Sequence, residues 1–373
     1  MVSFWRSLRR TRQQSYKLAR LVDTRRHESC DKGGIHIVCD IDKTYLETEF
    51  ESVLRMARIA FEAAADKVTV AGASEVLELA RWGDLAAPLP TDGEFPRCLH
   101  FVSSSPPQLR SVLAEKMTMD GLDWSSETFK DQAYNILMGR MDLLRQHVAY
   151  KSLAILNLIA GAGPNARFVL IGDNAEQDAY IYTGIKLLLD GQLSETGYRL
   201  YLEHAGVESD VAADLAQGIL ARNGARIDTV LIRNVPGYFL PEEPPLTDIV
   251  HQFDNFFQAA LLLMVRGVLP VTQMWPLVRS FHNHYGMTQK YLGALLQAVQ
   301  AGVAETSEVG QAAAAAFALL QPDEALDREP ASTFSRSLAA NSSKLSLLGE
   351  GIVLQHAKRW QQKIQEEKAK REE

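Results

Sequence analysis

Short apolar runs punctuate the first two-thirds of the chain at Ile35–Cys39, Leu99–Val102, Phe168–Ile171 and Thr229–Ile232, each bounded by polar residues or glycine. Runs of this length and β-branched content predict buried strands. Between and beside them, apolar residues recur at three- and four-residue spacing. That pattern predicts helices over Phe50–Ala65, Ala73–Arg81, Pro107–Met117, Gln146–Ile159 and Ser209–Ala221. Strands alternating with helices predict an α/β domain over residues 31–238, with a parallel sheet flanked by helices on both faces.

The texture changes at Pro236-Gly237 and at Pro241-Glu242-Glu243-Pro244-Pro245, a stretch that no helix interior or central strand tolerates. Beyond it, residues 247–320 read as an all-helical region that includes the alanine run Ala312–Ala316. Residues 321–347, rich in Ser, Asp, Pro and Ala, read as a linker, and residues 348–373 as a charged C-terminal helix. Ahead of the α/β domain, residues 1–30 form a basic N-terminal arm.

Composition adds three constraints. At 373 residues, 46% hydrophobic and 23% charged, the chain has the make-up of a globular protein with ample core. Its three cysteines, Cys30, Cys39 and Cys98, show no metal-ligand spacing, so reduced thiols and a cytoplasmic setting are expected. The apolar stretch Phe256–Val265 stops at Arg266, too short to span a bilayer, and no apolar segment of signal-peptide type follows the basic start. The net charge of −7 conceals an asymmetry: residues 1–27 carry +7, leaving −14 on the rest. Phe4, Trp5, Leu8 and Leu21 lie among the arginines, the make-up of an interfacial anchor, although the imperfect apolar face favours a solvated, partly disordered tail. A basic arm on an acidic body suits an anionic partner.

The chemistry gathers at strand ends, where α/β sheets keep their functional groups. The first strand runs out into Asp40-Ile41-Asp42-Lys43-Thr44, and the second into Ser103-Ser104-Ser105-Pro106. Lys151 opens an apolar helix, and the third strand ends in Gly172-Asp173-Asn174-Ala175-Glu176-Gln177-Asp178. Two carboxylates leaving a buried strand are costly unless cations neutralise them. Singly, each piece has an ordinary reading as a turn, a cap or a solvated lysine. The order acid pair, serine, lysine, acid pair is far more specific. His282-Asn283-His284 lacks further ligands for a metal and reads as a surface or capping feature.

This arrangement resembles the haloacid-dehalogenase-type phosphatase superfamily, and most closely the catalytic domain of the actin-patch-type phosphatidate phosphatases. That family carries Asp-x-Asp-Asp-Thr, then Val-Ser-Asn-Ser-Pro-Trp-Gln-Leu, a Lys, and Gly-Asp-Ser-Gly-x-x-Asp. Here Lys43 stands for the second consecutive Asp, Ser104 for Asn, Pro107 for Trp, and Asn174-Ala175 for Ser-Gly. Ile232-Arg233-Asn234-Val235 is similar to the family's closing segment. The likeness covers residues 35–238 and none of the C-terminal helices.

The resemblance implies a sheet of the haloacid-dehalogenase type and Mg²⁺-dependent hydrolysis of a phosphomonoester through an aspartyl-phosphate, with phosphatidate or a related lipid as substrate. Asp40 is the implied nucleophile, and Asp42 the implied general acid and base. Ser103 and Lys151 are the implied phosphoryl ligands. Asp40, Asp42, Asp173 and Asp178 are the implied metal set, Asp42 through its carbonyl and Asp178 as an outer ligand or an orienter of Lys151; Thr44 is expected to brace the loop. No nucleic-acid partner is expected, and the arm points to peripheral contact of a cytoplasmic protein with a membrane. Two alternatives stand beside this reading: a phosphatase of the same fold acting on a soluble metabolite or phosphoprotein, and a non-catalytic interaction protein.

Overall fold

The computed structural model of the chain describes residues 21–47, 64–83, 94–130, 147–217, 224–241, 245–320, 328–339 and 349–372. The strands β1 (Val22–Arg26), β2 (Ser29–Asp40), β3 (Glu94–Ser103), β4 (Ser126–Lys130), β5 (Arg167–Asp173), β6 (Arg226–Arg233) and β7 (Val250–Phe253) form one sheet in the order β1-β4-β3-β2-β5-β6-β7. The strands from β2 to β7 are paired in parallel, whereas β1 runs antiparallel to β4. The sheet is therefore mixed. Its antiparallel edge is built from the end of the basic arm, and exposed Thr24, Arg25 and Arg26 there discourage further strand pairing. Residues 1–20 of the arm lie outside the described residues.

All four predicted strands are present, as the cores of β2, β3, β5 and β6. The helices α1 (Ala73–Trp82), α2 (Arg110–Met119), α3 (His147–Gly161), α4 (Asp178–Leu189), α5 (Glu195–His204) and α6 (Ser209–Gln217) follow. The helix expected from Pro107 begins as a 3₁₀ turn, Pro107–Leu109, before α2. Most of the helix expected over Phe50–Ala65 lies outside the described residues, as do residues 218–221 of the last one.

The proline-rich break is not a boundary. After α7 (Leu246–Ile249), β7 joins the sheet beside β6, so residues 247–320 are not purely helical. Four residues with His251 and Gln252 at the centre give no apolar run to read. Helices α8 (Phe256–Val265), α9 (Met274–Asn283), α10 (Gln289–Gly302) and α11 (Glu308–Leu320) follow, then α12 (Arg328–Ala339) and α13 (Glu350–Glu372). The expected linker thus contains a helix. Pro330 sits in the first turn of α12, where proline is tolerated, and Ser337 Oγ donates to the Gln252 carbonyl of β7 at 2.7 Å.

Alternation along the strands sorts two cores. Ile37, Cys39, Leu99, Phe101, Val169, Ile171 and Leu231 share one with α1 and the C-terminal helices, including Leu263, Phe281 and Phe334. Val38, Val102, Phe168, Leu170, Val230 and Ile232 face the other, built from α3 to α6 and closed by Val353, Ala357 and Trp360 of α13. The C-terminal helices are one layer of the α/β sandwich. A disulfide joins Cys30 to Cys98 on neighbouring strands, their Cα atoms 6.0 Å apart, which corrects the expectation of three reduced thiols; Cys39 is free and buried. Among the described residues no helix is long and apolar enough to cross a membrane.

Candidate active site

The chain leaves β2 for β3 on one side of the sheet and returns to β5 on the other. A crevice forms at the carboxyl ends of strands where connections diverge in this way. Asp40 ends β2, Ser103 ends β3 and Asp173 ends β5. Lys151 rises from the first turns of α3, and Asp178 is the first residue of α4. Asp40, Ser103, Lys151, Asp173 and Asp178 are all fully buried.

Lys151 is the hub. Its Nζ lies 2.8 Å from Asp40 Oδ1, 2.7 Å from Glu176 Oε2 and 2.5 Å from Asp178 Oδ1. Asp173 is held by the loop after its strand: Oδ1 accepts from the backbone N–H of Ala175 at 2.6 Å and of Glu176 at 3.0 Å, and Oδ2 accepts from Thr44 Oγ1 at 3.1 Å. Thr44 thereby ties the loop after β2 to the end of β5. Gly172 permits the close approach of Asp178. A Cβ at that position would lie 2.7 Å from Asp178 Cβ and 2.8 Å from its Cγ.

Asp42 faces a different set of partners. Its Oδ2 accepts from Ser103 Oγ at 2.8 Å and Ser105 Oγ at 3.0 Å, while the Ser105 N–H donates back to Ser103 Oγ at 3.0 Å. Between the two aspartates and Thr44 the backbone turns sharply, and Lys43 takes a left-handed conformation at φ 58°. An Asp or Asn enters that region more readily than a lysine. The turn is secured from β6, where Arg233 donates to the Lys43 carbonyl at 2.6 Å and pairs with Glu47 at 2.6 Å. Lys43 Nζ donates to Tyr238 Oη at 2.6 Å at the rim.

Electrostatics separate the carboxyl groups. Burial pushes Asp40 well above the usual carboxylate range despite the Lys151 ammonium, with Asp178, Glu176 and Asp173 adding to the rise. Burial likewise lifts Asp178 to about 7 and Asp42 to about 6, the latter opposed by the Ser103 and Ser105 hydroxyls. Glu176 goes the other way: burial opposes its ionisation, but Lys151 and His147 outweigh it and hold the group at about 2.

One donor oxygen from each of Asp40, Asp173 and Asp178 lies within 4.8 Å of the other two. Asp40 Oδ2 is buried without a hydrogen-bond donor among the described residues. Three buried carboxylates, with Glu176 beside them and Lys151 paired to Asp40 and Asp178, form a hard-oxygen donor set with excess negative charge, which fits a divalent cation. Asp42 is outside this cluster through its side chain.

All the expected site residues therefore converge, in two adjoining groups. Two contributors were not assigned roles from the sequence. Glu176 binds Lys151 and accepts from Ser104 Oγ at 3.2 Å; its place between Asp173 and Asp178 was the available signal. Ser105 shares Asp42 with Ser103, and only its position in the Ser-Ser-Ser run pointed to it. His282 is a local cap, its Nδ1 2.8 Å from the Met287 carbonyl oxygen.

The family model for the catalytic domain of phosphatidate phosphatase APP1 matches residues 35–195, the stretch that carries Asp40 through Asp178. An uncharacterized protein of Schizosaccharomyces pombe is 29% identical over 153 residues, covering 41% of this chain and 23% of that protein. The chain thus spans about a quarter of the curated relative it matches. No solved structure matches.

Proposed function

We propose that the chain is a Mg²⁺-dependent phosphatidate phosphatase of the haloacid-dehalogenase type. The observation that carries this reading is Asp40: a fully buried carboxylate at a strand end, 2.8 Å from Lys151, with one oxygen free of donors and two further aspartates beside it. The free oxygen attacks phosphorus while the bond to the leaving oxygen breaks, giving an aspartyl-phosphate. Asp42, lifted to about 6 by burial, is balanced between its acid and base forms near neutrality. It protonates the departing alkoxide, then takes a proton from the water that releases inorganic phosphate and restores Asp40.

Ser103 and Lys151 hold the phosphoryl oxygens. Asp178 and Glu176 keep the Lys151 ammonium charged and aimed, against the burial that opposes its charge. Asp40, Asp173 and Asp178, with the Asp42 carbonyl, would hold Mg²⁺, which when bound neutralises phosphoryl charge. The match to a phosphatidate phosphatase catalytic domain supports a lipid substrate. The basic arm would keep the enzyme peripherally at an anionic cytoplasmic membrane surface.

The test is phosphate release with Mg²⁺ from phosphatidate in mixed micelles and from water-soluble phosphomonoesters, for the wild-type chain and Asp40→Asn. Lipid hydrolysis lost by at least ~10³-fold in the variant, with the fold intact, is expected. Hydrolysis of the soluble esters alone would redirect the substrate. Activity retained within a few-fold in Asp40→Asn would overturn the nucleophile.

A further inference from the structure

β2 and β3 carry a second cluster, set back along the strands from Asp40 and Ser103. Cys30, His36, Cys98 and His100 each place a donor atom within 4.8 Å of the other three. His36 is the direct partner of Cys98 across the two strands, and His100 lies two residues further along the same face. Cys30 is brought in by a bulge: β2 takes five residue steps from Cys30 to Ile35 where β3 takes two from Phe95 to Arg97. The bulge is pinned, because the Gly163 N–H donates to the Lys32 carbonyl at 2.6 Å and the Gly33 N–H to Asp31 Oδ1 at 2.9 Å.

The two imidazoles meet nitrogen to nitrogen, their rings stacked with centroids 5.3 Å apart. His36 Nδ1 lies 3.0 Å from His100 Nε2. Two nitrogens on a tetrahedral zinc ion stand about 3.3 Å apart. The other nitrogen of His100, Nδ1, meets Ser126 Oγ at 2.8 Å, an outer hydrogen bond that fixes the ring and leaves Nε2 for a metal. His36 is clamped by Phe168, ring centroids 4.8 Å apart and nearly parallel. His36, Cys98 and His100 are buried, so the metal would be shielded on three sides.

We infer that reduction of the Cys30–Cys98 disulfide creates a Cys₂His₂ zinc site from Cys30, His36, Cys98 and His100, so that β2 and β3 are stapled by a disulfide under oxidising conditions and by Zn²⁺ under reducing ones. A phosphine with one water cleaves the S–S bond to two thiols and becomes the phosphine oxide, and a dithiol does so by exchange, ending as its own disulfide. Zn²⁺ then displaces the two thiol protons and binds two thiolates and two neutral imidazoles. His36 lies about 13 Å along β2 from Asp40, four residues at strand rise. The site is therefore separate from the carboxylate cluster and does not depend on the phosphatase reading.

The experiment uses the full chain, reduced with a phosphine without oxygen and titrated with Co²⁺ and Zn²⁺. Reduced protein should take up one Co²⁺ with a thiolate-to-cobalt absorption band and tetrahedral ligand-field bands. Zn²⁺ should bleach both and release two protons per ion. Cys30→Ser and His100→Gln should each weaken uptake by at least ~100-fold, while Cys39→Ser should leave the bands unchanged. Folding of each variant is checked by its near-ultraviolet circular dichroism, and Cys30→Ser removes the least buried ligand. Absence of the thiolate band in reduced wild-type protein would overturn the proposal. So would the same band in oxidised protein, or its survival in Cys30→Ser.

Discussion

Gly172→Ala asks whether Asp178 has to stand where it does. The new Cβ would lie 2.7 Å from Asp178 Cβ and 2.8 Å from Cγ. Unstrained carbon pairs sit ~3.5–4.0 Å apart, so a retreat of about 1 Å is required. Asp178 Cβ is fixed to the backbone of the first residue of α4, so rotation of the carboxylate cannot supply that movement. The start of α4 must back away, taking Oδ1 out of its 2.5 Å contact with Lys151. Overpacking of this kind costs ~1–3 kcal/mol of stability, and displacing a positioning group by 1 Å costs ~10²-fold in rate. Steady-state phosphate release from phosphatidate micelles at saturating Mg²⁺, with thermal unfolding in parallel, reads both quantities. Gly191→Ala is the control: its φ of 76° strains any side chain, but nothing lies within 4 Å of the new Cβ. That variant should lose stability and keep its rate. If Gly172→Ala kept its rate within three-fold, Asp178 would not position Lys151 for the reaction.

Chelation should abolish phosphate release and Mg²⁺ should restore it, with Ca²⁺ a poor substitute because it takes more ligands at longer distance; full activity in excess EDTA would exclude the carboxylate cluster as a required metal site. Deleting residues 1–20, which hold six Arg or Lys and no acid, should cut binding to anionic vesicles and slow hydrolysis of vesicle lipid, since each engaged basic residue contributes ~1 kcal/mol. The deletion spares β1 and should barely change the rate on a soluble ester; vesicle binding equal to the full chain would count against the arm. His251 is taken up neutral, because burial and then Arg266 pull it down to about 4 from 6.5. The unfolded chain protonates first, so up to about 3 kcal/mol of stability is lost as pH falls from 6.5 towards 4. Denaturant unfolding across that window should show a shallower loss in His251→Gln, and equal slopes would refute the assignment.

The parts of the fold legible in the sequence were those with uninterrupted apolar runs. β2, β3, β5 and β6 lie in the middle of the sheet and are covered on both faces, so Ile37-Val38-Cys39 and Leu170-Ile171 announce themselves. β1 and β7 are edge strands: Val22–Arg26 shows a run of charge and Val250–Phe253 a polar centre, because their identity comes from pairing. The order of the candidate site residues was legible because Asp40, Ser103 and Asp173 end strands and Asp178 opens a helix, positions that sequence reading can locate. The Cys/His cluster was not. Cys30-x₅-His36 and Cys98-x-His100 have no familiar spacing, and only a three-residue bulge and strand adjacency bring them together.

The segment that carries the chemistry is not the segment that holds it in place. Every reacting side chain proposed here falls within residues 35–195, the stretch matched by the phosphatase family. Yet the loop carrying Lys43 is fastened by Arg233 of β6, and the backbone N–H of Asn174 donates to the Arg233 carbonyl at 3.1 Å. Helix α4, which positions Asp178, is braced from the far C-terminus: Trp360 of α13 packs edge-on against Tyr180 with ring centroids 4.9 Å apart, and Gln361 donates to Gln177 at 3.0 Å. Helix α8 covers the opposite face with a run of buried residues from Phe256 to Met264. Removing residues beyond 195 would delete β6, expose Val169 and Ile171 of β5 and free one end of α4, so Lys151 would lose its alignment before any proposed reacting side chain was touched. The C-terminal helices therefore act through packing on the elements that aim the site, and variation there should change its precision before its chemistry.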